Sequence, residues 1–444
     1  MKGVQTEEQR SSVPEKAKQE REIPAQWAWI EPLVWTDKML AALEKGVKGG
    51  KWFSLIDKVW HLPNLDSAWK QVAANRGSAG IDNVSIKHYR RHAKERLNRT
   101  SELLKQDRYI PAGVKRVWID KAGSKDKRPL GIPTVTDRVV QTALRNVIEP
   151  IFEQDFCEYS YGFRPRRSCK DALRRVDGLL KQGYRYVVDA DIKGYFDNIP
   201  QDKLMLLVEE KIADSRILAL LNLYLSQQVI DTAASWTPEA GTPQGAVISP
   251  LLANIYLNPL DWLMLNKGYQ MTRYADDFVI QCTTEAEARQ ALETIRIWTQ
   301  EAGLTLHPTK TKIVDTETDI FEFLGYKFKR GMRFPSNKSI KKFRDNIRKH
   351  TKRCNAHSLD TIIKRIRPIQ RGWFEYYKHA HKTSFPGEDG WVRRRLRSIL
   401  KKHEKRRGIA TAGRENLRYP NAIFDKHGFF SMVRAHAELC RSLK

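Results

Sequence analysis

The sequence predicts an α+β protein with a middle of strands and helices and a last third that is helical and strongly basic. Three observations carry this. Alternating apolar and polar side chains, the mark of a half-buried strand, recur at Tyr109–Asp120, at Tyr184–Ile192 and on either side of Tyr274-Ala275-Asp276-Asp277. Apolar residues at helical spacing fill much of the intervening chain and dominate after Ser339. Lys and Arg total 79 against 52 Asp and Glu, a net charge of +27, while 41% of residues remain hydrophobic. That is enough apolar side chain for buried cores, and the length fits about two to four domains. A folded chain with so positive a field fits a polyanionic partner, most commonly nucleic acid. The cysteines Cys157, Cys169, Cys282, Cys354 and Cys440 form no C-x-x-C pair, so a zinc ribbon and a disulfide framework are not expected, and a reducing cytoplasm is the natural setting. Met1–Arg21 has no apolar core and no long apolar run follows, so neither an export signal nor a membrane span is expected.

Residues 1–24 have the composition of a disordered tail. Trp35, Met39 and Leu43 mark a helix that Gly46–Gly50 breaks, and a second helix opens at Pro63, runs through Ala68, Trp69 and Val72, and ends near Gly77. The strands Tyr109–Asp120 and Pro129–Ile132 flank a basic, Gly-containing loop. Such a loop can close over a triphosphate, although taken alone it is more often an ordinary charged hairpin loop. A helix is expected over Asp137–Phe152. Ser160–Ser168 then gathers Arg164, Arg166 and Arg167 with Tyr161 and Phe163, a set suited to backbone phosphates and base stacking.

Alternation along Tyr184–Ile192 places Asp189 and Asp191 on one face, with Asp191 where the strand ends. Asp189 ranks second, since it can equally partner an arginine. A helix through Leu204–Ile212 follows, and another, Val247–Leu260, begins after Gly241-Thr242-Pro243-Gln244-Gly245 with Pro250 in its first turn. Gln244 at that junction either bonds a ligand or serves the turn. Asp276 and Asp277 are adjacent like charges at a hairpin tip, costly unless a cation lies between them; a divalent metal is the natural candidate, although an isolated Asp-Asp doublet is far more often a solvated turn. Beyond lie an amphipathic helix Glu285–Ala302, a strand Leu304–Asp315 and a short hairpin Phe321–Phe328 with Gly325. The stripes Ile340/Phe343/Ile347 and Leu359/Ile362/Ile363/Ile366, followed by Trp373, Tyr376 and Tyr377, read as helix packing. Nine of the 17 residues in Trp391–Arg407 are Lys or Arg, so this stretch reads as a phosphate-tracking surface containing Arg393, Arg394, Arg395 and Arg397.

Taken in order, Arg128-Pro-Leu-Gly-Ile-Pro133, Ser160-Tyr-Gly-Phe-Arg-Pro165, Asp191-Ile-Lys-Gly-Tyr-Phe-Asp197, Thr242-Pro-Gln-Gly-Ala-Val-Ile-Ser-Pro-Leu-Leu-Ala-Asn254, Tyr274-Ala-Asp-Asp277 and Phe323-Leu-Gly-Tyr326 resemble a reverse transcriptase. The resemblance is strongest to the proteins of bacterial group II introns, the maturases, and covers roughly 60–400. It implies a right-hand polymerase with fingers (63–183), an α/β palm (184–334) and a helical thumb or maturase domain (335–385). A helical extension (25–62) precedes these and a basic nucleic-acid-binding region (386–444) follows.

The implied activity is RNA-directed DNA polymerisation with two Mg²⁺ ions, alongside intron-RNA binding for splicing and mobility. The resemblance makes Asp191, Asp276 and Asp277, with the adjoining Ile192, the metal set. It gives Lys310 the protonation of pyrophosphate, Lys121 and Arg128 the triphosphate, Phe196 the exclusion of a 2′-hydroxyl, and Gln244, Gly245 and Tyr274 the incoming nucleotide. Phe323 and Gly325 fall in the primer grip. Implied partners are intron and template RNA, a DNA primer or target and dNTPs, with a homodimer left open and the bacterial cytoplasm as location. A splicing cofactor without polymerase activity and a reverse transcriptase recruited to host defence are the alternatives. The missing C-x-x-C pair leads to an expectation that this chain cuts no DNA strand.

Overall fold

A computed structural model describes residues 27–47, 49–120, 127–231, 235–243, 245–409 and 413–442. The tail 1–24, Lys121 and Gln244 lie outside them. The described strands are β1 (Val114–Asp120), β2 (Lys127–Ile132), β3 (Tyr186–Asp191), β4 (Val229–Ile230), β5 (Ser235–Trp236), β6 (Gln270–Tyr274), β7 (Asp277–Cys282), β8 (Lys312–Asp315), β9 (Phe321–Phe323), β10 (Tyr326–Lys329) and β11 (Met332–Pro335). They form three sheets, ordered β2-β1-β4-β5, β6-β7-β3-β8 and β11-β10-β9.

The second sheet organises the molecule, because β3 is central and both its faces are buried. Val188 and Ala190, with Phe278 and Ile280 of β7, face one core. That core is filled from the helices Val135–Glu153, Ser249–Asn266 and Glu285–Glu301. Val187, Val279 and Val314 face a second core, filled from the helices Cys169–Lys181, Asn337–His350, Leu359–Tyr377 and Pro386–His403. Period-two alternation therefore sends Asp189 and Asp191 to the second side, under the C-terminal helices.

The N-terminal extension is no separate unit. Trp35 is fully buried in the first core and its indole donates to the Asn146 carbonyl at 2.9 Å. Asp214 ties it down further: one carboxylate oxygen accepts from the amides of Leu55 (2.6 Å) and Ile56 (2.9 Å), the other caps the helix Ser215–Leu225. Each cap of this kind is worth about 1 kcal/mol.

Two expectations need correction. The strand expected over Leu304–Asp315 shrinks to β8, preceded by one bridge between Ile192 and Leu306. Pro308 offers no amide to a ladder, and the chain turns through Thr309 and Lys310. The stretch 386–444, expected as a basic nucleic-acid-binding region, also feeds the second core. Val392, Leu396 and Ile399 pack with Phe343, Ile347 and Phe374, and Arg344 holds Glu388 by a fork at 2.9 and 2.6 Å. Buried Asp389 accepts from Ser431 (2.8 Å) and from the amides of Met432 and Val433, fixing the helix Met432–Ser442. Among the described residues no helix is long and apolar enough to cross a membrane.

Candidate active site

The register of β3 on β7 sets Asp191 directly opposite Asp277, and the β6–β7 pairing closes on Tyr274 opposite Asp277. Only Ala275 and Asp276 remain to turn the chain, and Ala275 does so with φ +60. Two strand ends thus deliver the three expected carboxylates to one place. They line a cleft of about 1140 Å³ together with Asp189, Lys310 and Lys312, while Lys338, Lys342, Trp373 and Tyr376 line it from the thumb helices.

Asp189, Asp276 and Asp277 resist ionisation. Burial and then the charges of Asp189, Asp276 and Asp191 push Asp277 up to about 7. Because Asp277 is exposed to the cleft, water offsets part of the burial effect, but the crowding of charge remains. Asp189 is pushed up to about 6 by burial, with Lys312 opposing and Asp191 and Glu322 adding to the rise. Asp276 is raised for the same leading reason. The Lys310 ammonium pairs with Asp191.

Such a set fits a hard divalent cation in donor type, since every ligand offered is a carboxylate oxygen. Among the described residues no three His, Cys, Asp or Glu side chains close tightly enough to hold an ion, and Lys310 satisfies Asp191 instead. The Ile192 side chain is in the core, so only its backbone is available.

The remaining expected residues divide. Arg128 is exposed on β2, and Gly245 (φ +99) packs so closely on Leu130 and Gly131 that a Cβ would collide with the Gly131 carbonyl. Phe196 is half-buried, edge-on to Tyr195 at 5.5 Å, and its carbonyl accepts from the Thr242 amide at 2.7 Å. Tyr274 lies 6.5 Å from the Phe163 ring, its hydroxyl pushed up to about 12 chiefly by a hydrogen bond to Cys169. Gly325 (φ +77) lines the cleft, where a Cβ would come within 2.8 Å of the Tyr377 hydroxyl.

Several residues expected to touch nucleic acid are instead used by the fold. Phe323 is 1% exposed and belongs to the core. Arg164 is buried, forks onto Glu153 (Nε at 3.0 Å, Nη2 at 2.7 Å) and donates to the carbonyls of Cys157 and Ser160. Arg395 gives Nε and Nη2 to Thr351, both at 2.7 Å, and Arg397 gives its own to the Tyr419 carbonyl and Asn421. Arg167 donates to the Glu158 carbonyl. Arg166 and Arg394 are exposed, and half-buried Arg393 lies 4.6 Å over Phe429 beside a groove shared with Arg394. One residue at the site had escaped notice: Arg273, which is fully buried although its strand, Gln270-Met271-Thr272-Arg273-Tyr274, carries no apolar pattern that would mark it as such.

Residues 119–328 match the family "Reverse transcriptase (RNA-dependent DNA polymerase)", and residues 340–417 match "Group II intron, maturase-specific domain". The group II intron-encoded protein LtrA of Lactococcus lactis subsp. cremoris is 42% identical over 208 residues, which are 46% of this chain and 34% of LtrA. The protein YkfC of Escherichia coli K12 is 33% identical over 287 residues, covering 56% of this chain and 75% of YkfC. The chain thus matches about a third of the length of LtrA but three quarters of YkfC. With a carboxylate-bearing palm hairpin beneath a maturase-type thumb, the chain belongs to the group II intron reverse transcriptase/maturase family.

Proposed function

We propose that this chain is an RNA-directed DNA polymerase that copies RNA into cDNA and also binds intron RNA to assist splicing and mobility. The observation that supports it best is the meeting of Asp191, Asp276 and Asp277 at the open end of the palm sheet, facing a cleft whose far wall carries thumb lysines. Asp191, Asp276 and Asp277, with the Ile192 backbone, would hold two Mg²⁺ ions, which when bound acidify the primer 3′-hydroxyl and neutralise the leaving pyrophosphate.

The chain's own groups supply the rest. Arg128 offers a fork to the triphosphate, and the sequence resemblance assigns Lys121 a second contact to it. Lys310, held near the carboxylates by its pair with Asp191, is a proton donor for pyrophosphate. Gly245 lets the palm loop approach β2 closely, Tyr274 faces the incoming nucleotide, and the sequence resemblance assigns Gln244 a contact to the same nucleotide. Phe196, fixed between Tyr195 and the Thr242 amide, blocks a ribose 2′-hydroxyl. Lys338 and Lys342 meet duplex phosphates.

Intron-RNA binding is supported by the maturase-specific match and by the groove lined by Arg393 and Arg394. The bacterial relatives suggest a bacterial cytoplasm.

Primer extension on an RNA template with Mg²⁺ and dNTPs tests the reading; a folded, RNA-binding protein that never extends would leave only the splicing role. Phe196→Ala should admit rNTPs while keeping dNTP use, and unchanged selectivity would remove the exclusion role from Phe196.

A further inference from the structure

Arg273 precedes the carboxylate hairpin on β6 and is 0% exposed. Its fork is fully engaged. Nε donates to Asp261 Oδ1 at 2.7 Å and Nη2 to Asp261 Oδ2 at 2.5 Å, while Nη1 donates to both Asn254 Oδ1 and the Ala275 carbonyl at 2.9 Å. Asp261 and Asn254 are themselves buried, about two turns apart on the helix Ser249–Asn266. Asn254 in turn donates to the Gly162 carbonyl at 2.8 Å. Gly162 packs so tightly on the hairpin that a Cβ there would run into the Ala275 amide.

The palm helix and the turn of the hairpin therefore meet at one guanidinium, and the loop 160–165 joins them through Asn254. The carbonyl that Nη1 holds belongs to Ala275, the residue in left-handed conformation immediately before Asp276. A non-glycine residue keeps such a conformation only where its surroundings impose it. Asp261 offsets the cost of burying the charge, and the planar fork reaches all four acceptors at once.

We infer that Arg273, held by Asp261 and Asn254, is a positioning residue that locks the Ala275 turn, so that Asp276 and Asp277 are held beside Asp191, from where a divalent ion can draw the three carboxylates together. Arg273 touches no substrate; it acts through the carbonyl of its neighbour's neighbour. This inference rests on the proposed polymerase reading, but part of its test does not.

The test compares wild type, Arg273→Lys and Asn254→Ala. Lysine keeps a cation against Asp261 but cannot supply the fork. Three quantities are read: melting temperature, Mn²⁺ binding by EPR without nucleic acid, and kcat and KM for dNTP in primer extension. The hairpin site is defined as the Mn²⁺ binding that Asp277→Asn abolishes.

For folded Arg273→Lys we expect Mn²⁺ affinity at that site and kcat each to fall by about tenfold or more, as for residues that orient metal ligands. The dNTP KM should move by less than about threefold, since ground-state nucleotide contacts are intact. Asn254→Ala should shift the same quantities in the same direction and by less, and it decides the matter if Arg273→Lys does not fold. Wild-type Mn²⁺ affinity and kcat in a folded variant, a loss confined to KM or melting temperature, or no such Mn²⁺ site in wild type would overturn the inference. A wild type that binds Mn²⁺ there but never extends a primer would fell the polymerase reading and leave the positioning role standing.

Discussion

The loop Ser160–Ser168 and the helix Pro386–His403 look alike in sequence, each carrying an arginine cluster, and the fold uses both in the same divided way. In the loop, Arg164 turns inward to Glu153 while Arg166 stays outside; in the helix, Arg397 turns inward to Tyr419 and Asn421 while Arg394 stays outside. The means differ. Helical spacing puts Arg397 next to the buried Leu396 and Ile399, whereas Arg164 is drawn in by one carboxylate and three carbonyls from within an irregular loop. Net charge therefore overstates the surface available to nucleic acid, because some of the strongest-looking cations hold the protein together.

That division can be broken by mutation. Arg164→Ala leaves Glu153 without its partner in the interior and should cost about 3–5 kcal/mol in chemical denaturation. Arg397→Ala strips the Tyr419 carbonyl of a charged donor and should cost about 1.5–3 kcal/mol. Near-zero costs for both would mean that these arginines are surface residues after all.

A middle-sized effect sharpens the contrast with the acidic side of the molecule. The folded form holds the Asp277 proton up to about 7, well above the value of about 3.9 for an unfolded Asp. Folded protein thus binds more protons than unfolded between those values, and metal-free stability falls as pH rises from about 4 to about 7. Asp189, pushed up to about 6, adds to the same trend. Melting temperature in EDTA should fall across that window, Mg²⁺ should restore more of it at pH 8 than at pH 5, and Asp277→Asn should flatten both responses. A metal-free stability that rises with pH and owes nothing to Asp277 would contradict this.

The smallest effects belong to the outer arginines. Arg166→Ala and Arg394→Ala should each leave stability within about 0.5 kcal/mol and lower the salt slope of RNA binding by about one.

The palm was legible because its signals are periodic: alternation alone put Asp189 and Asp191 on one face, and the Asp276-Asp277 tip fell where β6 and β7 turn. The strand over Leu304–Asp315 was overlong because alternation continued past Pro308, where the backbone cannot pair. The fates of Arg164, Arg395 and Phe323 were not legible, since burial there depends on partners 11 residues away for Glu153 and 44 away for Thr351, or on a core assembled from the thumb. Arg273 was hidden for a similar reason: its partners Asn254 and Asp261 are spaced for a helix, and only the tertiary structure brings that helix beneath the hairpin.

The most direct measurement determines RNA affinity and single-turnover extension on the same preparations of wild type, Asp276→Ala and the double variant Arg166→Ala/Arg394→Ala. Asp276→Ala should bind RNA within about threefold of wild type, because that binding is spread over many phosphate contacts, and should lose on the order of a thousand-fold or more in extension rate. The double variant should bind more weakly yet extend near the wild-type rate at saturating RNA. Extension by Asp276→Ala at a rate near wild type would contradict the assignment of chemistry to the palm hairpin.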